Sequence, residues 1–162
     1  MVRGLSDPYV SKIRRTAKKT GRNLYVAGPS KVNRNTTLGD NVRFHGMKIT
    51  GKGRVDIGSY VIAAGDCMII TQNHNYEGDA IPYDDTLNFR DVVIGDFVWI
   101  GARVLILPGT KIGEGAIIQG GAVVHGEIPP YAIAGGNPAK VFKYRDAEHF
   151  KKLKAEGKFY RG

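Results

Sequence analysis

Residues 94–129 read IGDFVW-IGARVL-ILPGTK-IGEGAI-IQGGAV-VHGEIP. Every sixth position is aliphatic: Ile94, Ile100, Ile106, Ile112, Ile118 and Val124. Four residues after each stands a small or β-branched residue: Val98, Val104, Thr110, Ala116, Ala122 and Ile128. A helix would repeat its apolar positions every three or four residues, and a simple strand every two. A period of six fits short flat strands separated by tight turns, with three hexads closing one triangular coil of an all-β solenoid. The aliphatic residue points inward and stacks on its equivalents. The small residue fills the cramped space near the corner. Gly, Asp and Asn take the turns, where positive φ costs them least.

The same frame extends toward the N-terminus. Val26, Val32, Leu38 and Phe44 are six apart, the register slips by one residue, and it resumes at Ile57, Ala63 and Ile69. Between Ile69 and Ile94 the pattern breaks. Residues 77–90 carry Pro82 and the acids Glu77, Asp79, Asp84 and Asp85, and read as a loop extruded from the repeat. Flanking the solenoid are two helical segments. Asp7-Pro8 opens an N-terminal helix within residues 7–20 that Gly21 stops, with Asp7 as N-cap and Pro8 at the first helical position. Residues 146–154 suggest a second helix. The expected division is a helical cap at 1–22, a β-helix at 23–142 and a basic helical tail at 143–162. Such ends are needed because an open coil exposes pairing edges.

Composition narrows the function. The 162 residues suffice for one ordinary domain. Glycine is doubled, at 22 residues, against an average near 7%. No apolar run approaches the roughly 20 residues of a membrane span, and residues 1–8 lack the apolar core of a signal peptide. With one cysteine, Cys67, no intrachain disulfide forms, so a cytoplasmic setting is expected. The net charge of +9 comes from the two ends. Lys12, Arg14, Arg15, Lys18, Lys19 and Arg22 form one group, and another runs from Lys140 through Lys143, Arg145 and Lys154 to Arg161.

The hexads and the tail IPPYAIAGGNPAKVF (residues 128–142) resemble the hexapeptide-repeat acyltransferases, in particular the maltose, galactoside and xenobiotic O-acetyltransferases and the sugar acetyltransferases of surface-polysaccharide pathways. The resemblance spans about residues 24–145. It implies a left-handed parallel β-helix, a homotrimer with active sites between subunits, and acetyl-CoA as co-substrate without a metal. The implied reaction is direct acetyl transfer to a sugar or glycan hydroxyl. N-acetylation of an amino-sugar nucleotide is the nearest alternative. A carbonic anhydrase of the β-helical type and a non-enzymatic basic solenoid that binds an acidic polymer are remote ones. Neither nucleic acid nor an integral membrane segment is expected.

Residue by residue, the resemblance makes His74, just before the extruded loop, the general base. Imidazole suits that task because its pKa lies near neutrality. No G-x-S-x-G nucleophile is present, and Cys67 falls in an inward slot. The residue after the glycine of Val98-Trp99-Ile100-Gly101 is Ala102. The resemblance gives its N–H the developing oxyanion and puts Trp99 at the cleft holding substrate and pantetheine. Gly120 and Gly121 permit a long cofactor to approach the backbone. Asn137, Pro138 and Lys140 match the family's CoA-binding exit, with Lys140 on phosphate and Arg145 and Lys143 as further candidates. For the acceptor the candidates are Asp66, Asn73, Asn75, Tyr83 and Asp84.

Overall fold

The computed structural model describes residues 7–160 as a parallel β-solenoid of three faces. The first face has six strands: Lys19–Thr20, Thr36–Leu38, Val55–Ile57, Val92–Ile94, Lys111–Ile112 and Glu127–Ile128. Tyr25–Val26, Trp99–Ile100, Ile117–Ile118 and Ala132–Gly135 belong to the second face, and Leu105–Ile106 and Val123–Val124 to the third. Two long strands, Arg43–Thr50 and Ile62–Ile70, turn the corner from the second face to the third.

The hexad rule explains the core. Leu38, Ile57, Ile94, Ile112 and Ile128 form one inward column, and Val26, Phe44, Ala63, Ile100, Ile118 and Ala134 another. All are at most 3% exposed. Phe44 faces Ala63 in the adjacent coil, so a large side chain is offset by a small one. Thr110 is the one hydroxyl among the fourth positions of residues 94–129. Its Oγ1 donates to the carbonyls of Leu107 at 2.7 Å and Val124 at 3.1 Å, which removes the cost of burying it. The one-residue slip in the sequence is the net of a bulge and a longer corner: Phe44 to Ile49 is five residues, one short of a hexad, and Ile49 to Ile57 is eight, two over. Phe44 pairs with Ala63 but His45 pairs with Gly65, which brings Ile49 inward early.

Glycine has a different role at one corner from the one expected. Gly39, Gly58, Gly95 and Gly113 stack between the first and second faces without positive φ. A Cβ on Gly58 would lie 2.8 Å from the backbone of Gly95 and Asp96, and one on Gly95 would lie 2.8 Å from Glu114 N. The coils approach too closely there for a side chain. The left-handed positions fall two residues later, at Asn23, Asn41, Tyr60, Phe97, Gly115 and Tyr131, with φ between 55° and 69°. Three are aromatic, a residue type that rarely holds this conformation.

Two element boundaries differ from expectation. Helix α1 spans Pro8–Thr16, capped by Asp7, whose carboxylate accepts from Tyr9 N at 2.9 Å. It stops ahead of Gly21 because Lys18 N already bonds Thr36 O. Lys19–Thr20 is the first rung of the solenoid, so the β-helix starts before residue 23. At the other end, Lys140–Tyr144 folds back antiparallel on Ala132–Gly135 across the expected boundary at 143. Helix α2, Ala147–Ala155, then begins at its N-cap Asp146. Residues 1–6, Arg161 and Gly162, which belong to the expected cap and tail, lie outside the described residues.

Two substitutions separate core filling from coil approach. Ile100→Ala is expected to lower the unfolding free energy by about 2–5 kcal/mol. Gly58→Ala, which adds one methyl, is expected to lower it by about 1–3 kcal/mol through overpacking. Denaturant titration measures both, and a neutral Gly58→Ala would contradict the close approach.

Candidate active site

The extruded segment leaves the corner between the third and first faces. It starts earlier than residue 77: Gln72–His74 and Leu87–Phe89 form an antiparallel hairpin, with His74 opposite Leu87. His74 is exposed, and its ring stacks on Tyr83 at 3.8 Å with 15° between the planes. The loop beyond is tied down. The Asp84 carboxylate accepts from Asp79 N at 3.0 Å, Thr86 N at 2.9 Å and the Thr86 hydroxyl. These bonds, that from the Thr86 hydroxyl above all, hold the carboxyl below the usual carboxylate range. Asn75 bonds Thr86 through both backbone and side chain, and Asn73 pairs with Asn88. Thus Tyr83 and Asn73 stand beside His74, while Asp84 and Asn75 hold the loop in shape.

Ala102 lies at the other edge of the third face, at its corner with the second. Its N–H has no acceptor among the described residues. Its carbonyl accepts from Gly121 N at 2.8 Å, which places Gly120 and Gly121 directly above it. Arg103, next in the turn, has φ +56°. One coil further, Val123 N bonds Gly136 O and Ala139 N bonds Val123 O. Gly120, Gly121, Gly136, Asn137 and Pro138 are exposed along this corner, with Lys140 opposite Gly135 at its end. Asp66 is here too, at φ +60° beside Gly65. Within one chain the width of the third face, about 16 Å for five extended residues, separates this acceptor candidate from His74.

Trp99 points outward from the second face and is 56% exposed. It lines a cavity of about 320 Å³ with Arg43, Tyr60, Phe97, Arg145 and Tyr160. Arg145 does not reach the Lys140 end of its strand. Its guanidinium donates to Gly115 O at 3.2 Å and lies 4.9 Å over the Phe150 ring, which fastens α2 to the solenoid. The sequence reading missed the aromatic cluster behind this cavity. Tyr60 stacks on Phe97 at 5.0 Å, and Phe159 packs on both at 4.7 and 5.1 Å. The signal was present, because Tyr60, Phe97 and Tyr131 share one hexad position, three residues after Ile57, Ile94 and Ile128.

The other titratable candidates stand apart. Cys67 is buried in its inward slot, its thiol 3.1 Å from Gly101 O, and burial pushes its pKa up. A thiol held protonated is a poor nucleophile. His45 packs edge-on against Tyr25 at 5.7 Å, and His125 and His149 are exposed.

A parallel solenoid with turns of three hexads, interrupted by one hairpin before the tryptophan rung, defines a class of hexapeptide-repeat proteins. Residues 91–126 match the bacterial transferase hexapeptide family (six repeats). The chain is similar to a maltose O-acetyltransferase from Clostridium difficile 630: 30% identity, 89% of this chain, 80% of that one, TM-score 0.76. It is also similar to a galactoside acetyltransferase in complex with coenzyme A, with 26% identity, coverage of 85% and 70%, and TM-score 0.74. Against WbbJ of Escherichia coli K12, a putative lipopolysaccharide biosynthesis O-acetyl transferase, identity is 36%, covering 64% of this chain and 58% of the relative. The chain belongs to the hexapeptide-repeat acetyltransferases, and its solenoid is their left-handed parallel β-helix. It spans 28–54% of the length of the first three curated acetyltransferases it matches.

The loop ties depend on an ionised Asp84. A depressed folded-state pKa adds stability that is present above the unfolded value and disappears as pH falls through the folded one. Hydrogen exchange at Asp79 and Thr86 is therefore expected to stay protected at neutral pH and to lose protection only below the ordinary carboxylate range. Asp84→Ala should abolish that protection at all pH values while leaving the thermal midpoint of the solenoid within a few degrees.

Proposed function

We propose that the chain is an acetyl-CoA-dependent acetyltransferase that acetylates a sugar or glycan hydroxyl by direct transfer, working as a homotrimer with its active sites between subunits. The carrying observation is the placement of the two halves of the chemistry. His74 leaves one edge of the third face, and the Ala102 N–H, without an acceptor among the described residues, lies at the other. The Ala102 turn is tied to the next coil through its carbonyl, and the backbone of His74 is held by pairing with Leu87 in the hairpin. A rigid chain with base and oxyanion donor on opposite edges completes a site only against a second copy. Tyr76 and Ile81, 77% and 96% exposed at the loop tip, supply apolar surface that a neighbouring subunit covers.

In this reading His74 accepts the proton of the acceptor hydroxyl as its oxygen attacks the thioester carbonyl. The Ala102 N–H of the adjoining subunit stabilises the negative charge on that carbonyl oxygen. Collapse expels the thiolate of coenzyme A, and His74 H⁺ returns the proton to it. Stacking on Tyr83 fixes the plane of the imidazole. Pantetheine lies along the corner at Gly120 and Gly121, and the nucleotide phosphates end near Asn137, Pro138 and Lys140. Trp99 walls the acceptor side. Support for the cofactor comes from the galactoside acetyltransferase bound to coenzyme A, and support for an O-linked acceptor from the maltose enzyme and WbbJ. No helix among the described residues is long and apolar enough to cross a membrane, and the acetyl donor is drawn from the cytoplasmic pool.

His74→Ala is expected to lower kcat at least about 100-fold with little change in coenzyme A affinity, read by thiol release and calorimetry. A positive φ at Arg103 is the pattern of a type II turn, whose first central position tolerates proline. Ala102→Pro thus deletes one N–H at little cost in fold and should lower kcat by about 100-fold or more. Coexpressing the two inactive variants should restore part of the activity, since mixed trimers contain one intact site between subunits. A monomer in analytical ultracentrifugation, or no restoration, would contradict the shared site.

A further inference from the structure

The basic residues at the two ends of the solenoid are not equivalent. At the C-terminal end several are answered internally: Lys151 by Glu148 at 3.0 Å, Lys158 by Glu156 at 2.6 Å, and Lys154 by Glu114. The N-terminal end has no such balance. Residues 7–54 hold twelve of the chain's 24 Lys and Arg but two of its 15 Asp and Glu. One of these acids, Asp40, is taken by Arg22 at 2.7 Å, and the other, Asp7, caps α1. Lys12, Arg15, Lys18, Lys31, Arg34 and Lys48 are all exposed, and none has an ion pair or a side-chain hydrogen bond among the described residues.

Two of these cations are placed where stability alone disfavours them. Lys31 forms an isolated β-bridge directly to Lys48 in the next coil, and like charges in that position repel. Together with Lys12 from α1 they rim a shallow cavity whose floor and walls include Pro8, Tyr9, Pro29 and Met47. The cavity thus has an apolar interior, a lysine rim and no carboxylate. Nucleic acid would call for aromatic rings spaced along a basic groove, and here Tyr9 is the one aromatic in the cavity lining. Apolar contact at the centre with cations around it is complementary to an amphiphile with an anionic head.

We propose that the N-terminal end of the solenoid docks on an anionic lipid bilayer, with Lys12, Lys31 and Lys48 on headgroup phosphates and Tyr9 at the headgroup level. The surface is separate from the proposed transferase site, whose residues run from the end of the third coil onward. Docking would hold those coils at a fixed height above the bilayer.

The test is co-sedimentation of the full chain with phosphatidylcholine vesicles, with and without phosphatidylglycerol. The expected result is pelleting with the anionic vesicles alone, weakened by added salt. Lys12→Glu/Lys31→Glu/Lys48→Glu should reduce the vesicle partition coefficient by at least roughly 100-fold, with unchanged thermal midpoint and acetyl-CoA turnover. Lys151→Glu/Lys152→Glu, at the opposite end, should bind as the unaltered chain does. If the triple variant is unstable, the single variant Lys31→Glu should show a smaller loss in the same direction. Equal binding to neutral vesicles, no binding to either, equal losses from reversals at the two ends, or retention of single-stranded RNA but not of vesicles would each overturn the proposal.

Discussion

Everything in this molecule depends on how closely one coil can lie on the next. Backbone N–H groups bond the carbonyls of the neighbouring coil at about 2.8–3.0 Å around most of the perimeter, so strand spacing sets the rise of the solenoid. At the corner between the first and second faces that spacing leaves no room for a Cβ, and Gly39, Gly58, Gly95 and Gly113 follow from it. The aliphatic columns then stack at the same rise, and each residue can be no larger than its neighbours permit. Phe44 over Ala63 is the visible compromise. Because a coil cannot shift without breaking bonds on both sides, the scaffold holds side chains at fixed heights and fixed corners.

That rigidity is what gives the candidate site its form. The corners are the places where chemistry can project, and each carries a different element. One bears the hairpin with His74, one the run of exposed glycines beside Ala102, and one the aromatic pile that receives α2 and Phe159. The hairpin is itself a stable device: its legs pair, Asp84 and Asn75 bind its tip, and His74 leans on Tyr83. Preorganisation of this kind lowers the reorganisation needed when charge develops.

The fold was legible because its period is written in single residues. Ile94 to Val124 at intervals of six admits few other structures, and the inward columns agree with the assignment position by position. Helix α1, its cap at Asp7 and the second helix were legible from local chemistry. The end of α1 was not, since Lys18 leaves the helix to bond Thr36, a contact distant in sequence. The positions of Asp66 and Arg145 within the chain were hidden for the same reason. Asp66 is close to His74 along the chain, but a flat face lies between them. Arg145 was grouped with Lys140, but the strand between them carries it to the opposite corner. The uneven neutralisation of the two basic ends was equally hidden, because it depends on which acids come within reach after folding.

The caps have a consequence at the level of assembly. Each coil is a template for one like it, so an uncovered end would recruit strands from other copies without limit. Two devices stop this. Helix α1 seals the first coil, with Ile13 fully buried against it. On the second face of the last coil, Lys140–Tyr144 runs in the reverse direction, so the edge it offers there has the wrong polarity to continue a parallel stack. Along an axis where each coil repeats the one before, the described chain thus carries near each end a short segment that does not belong to the repeat.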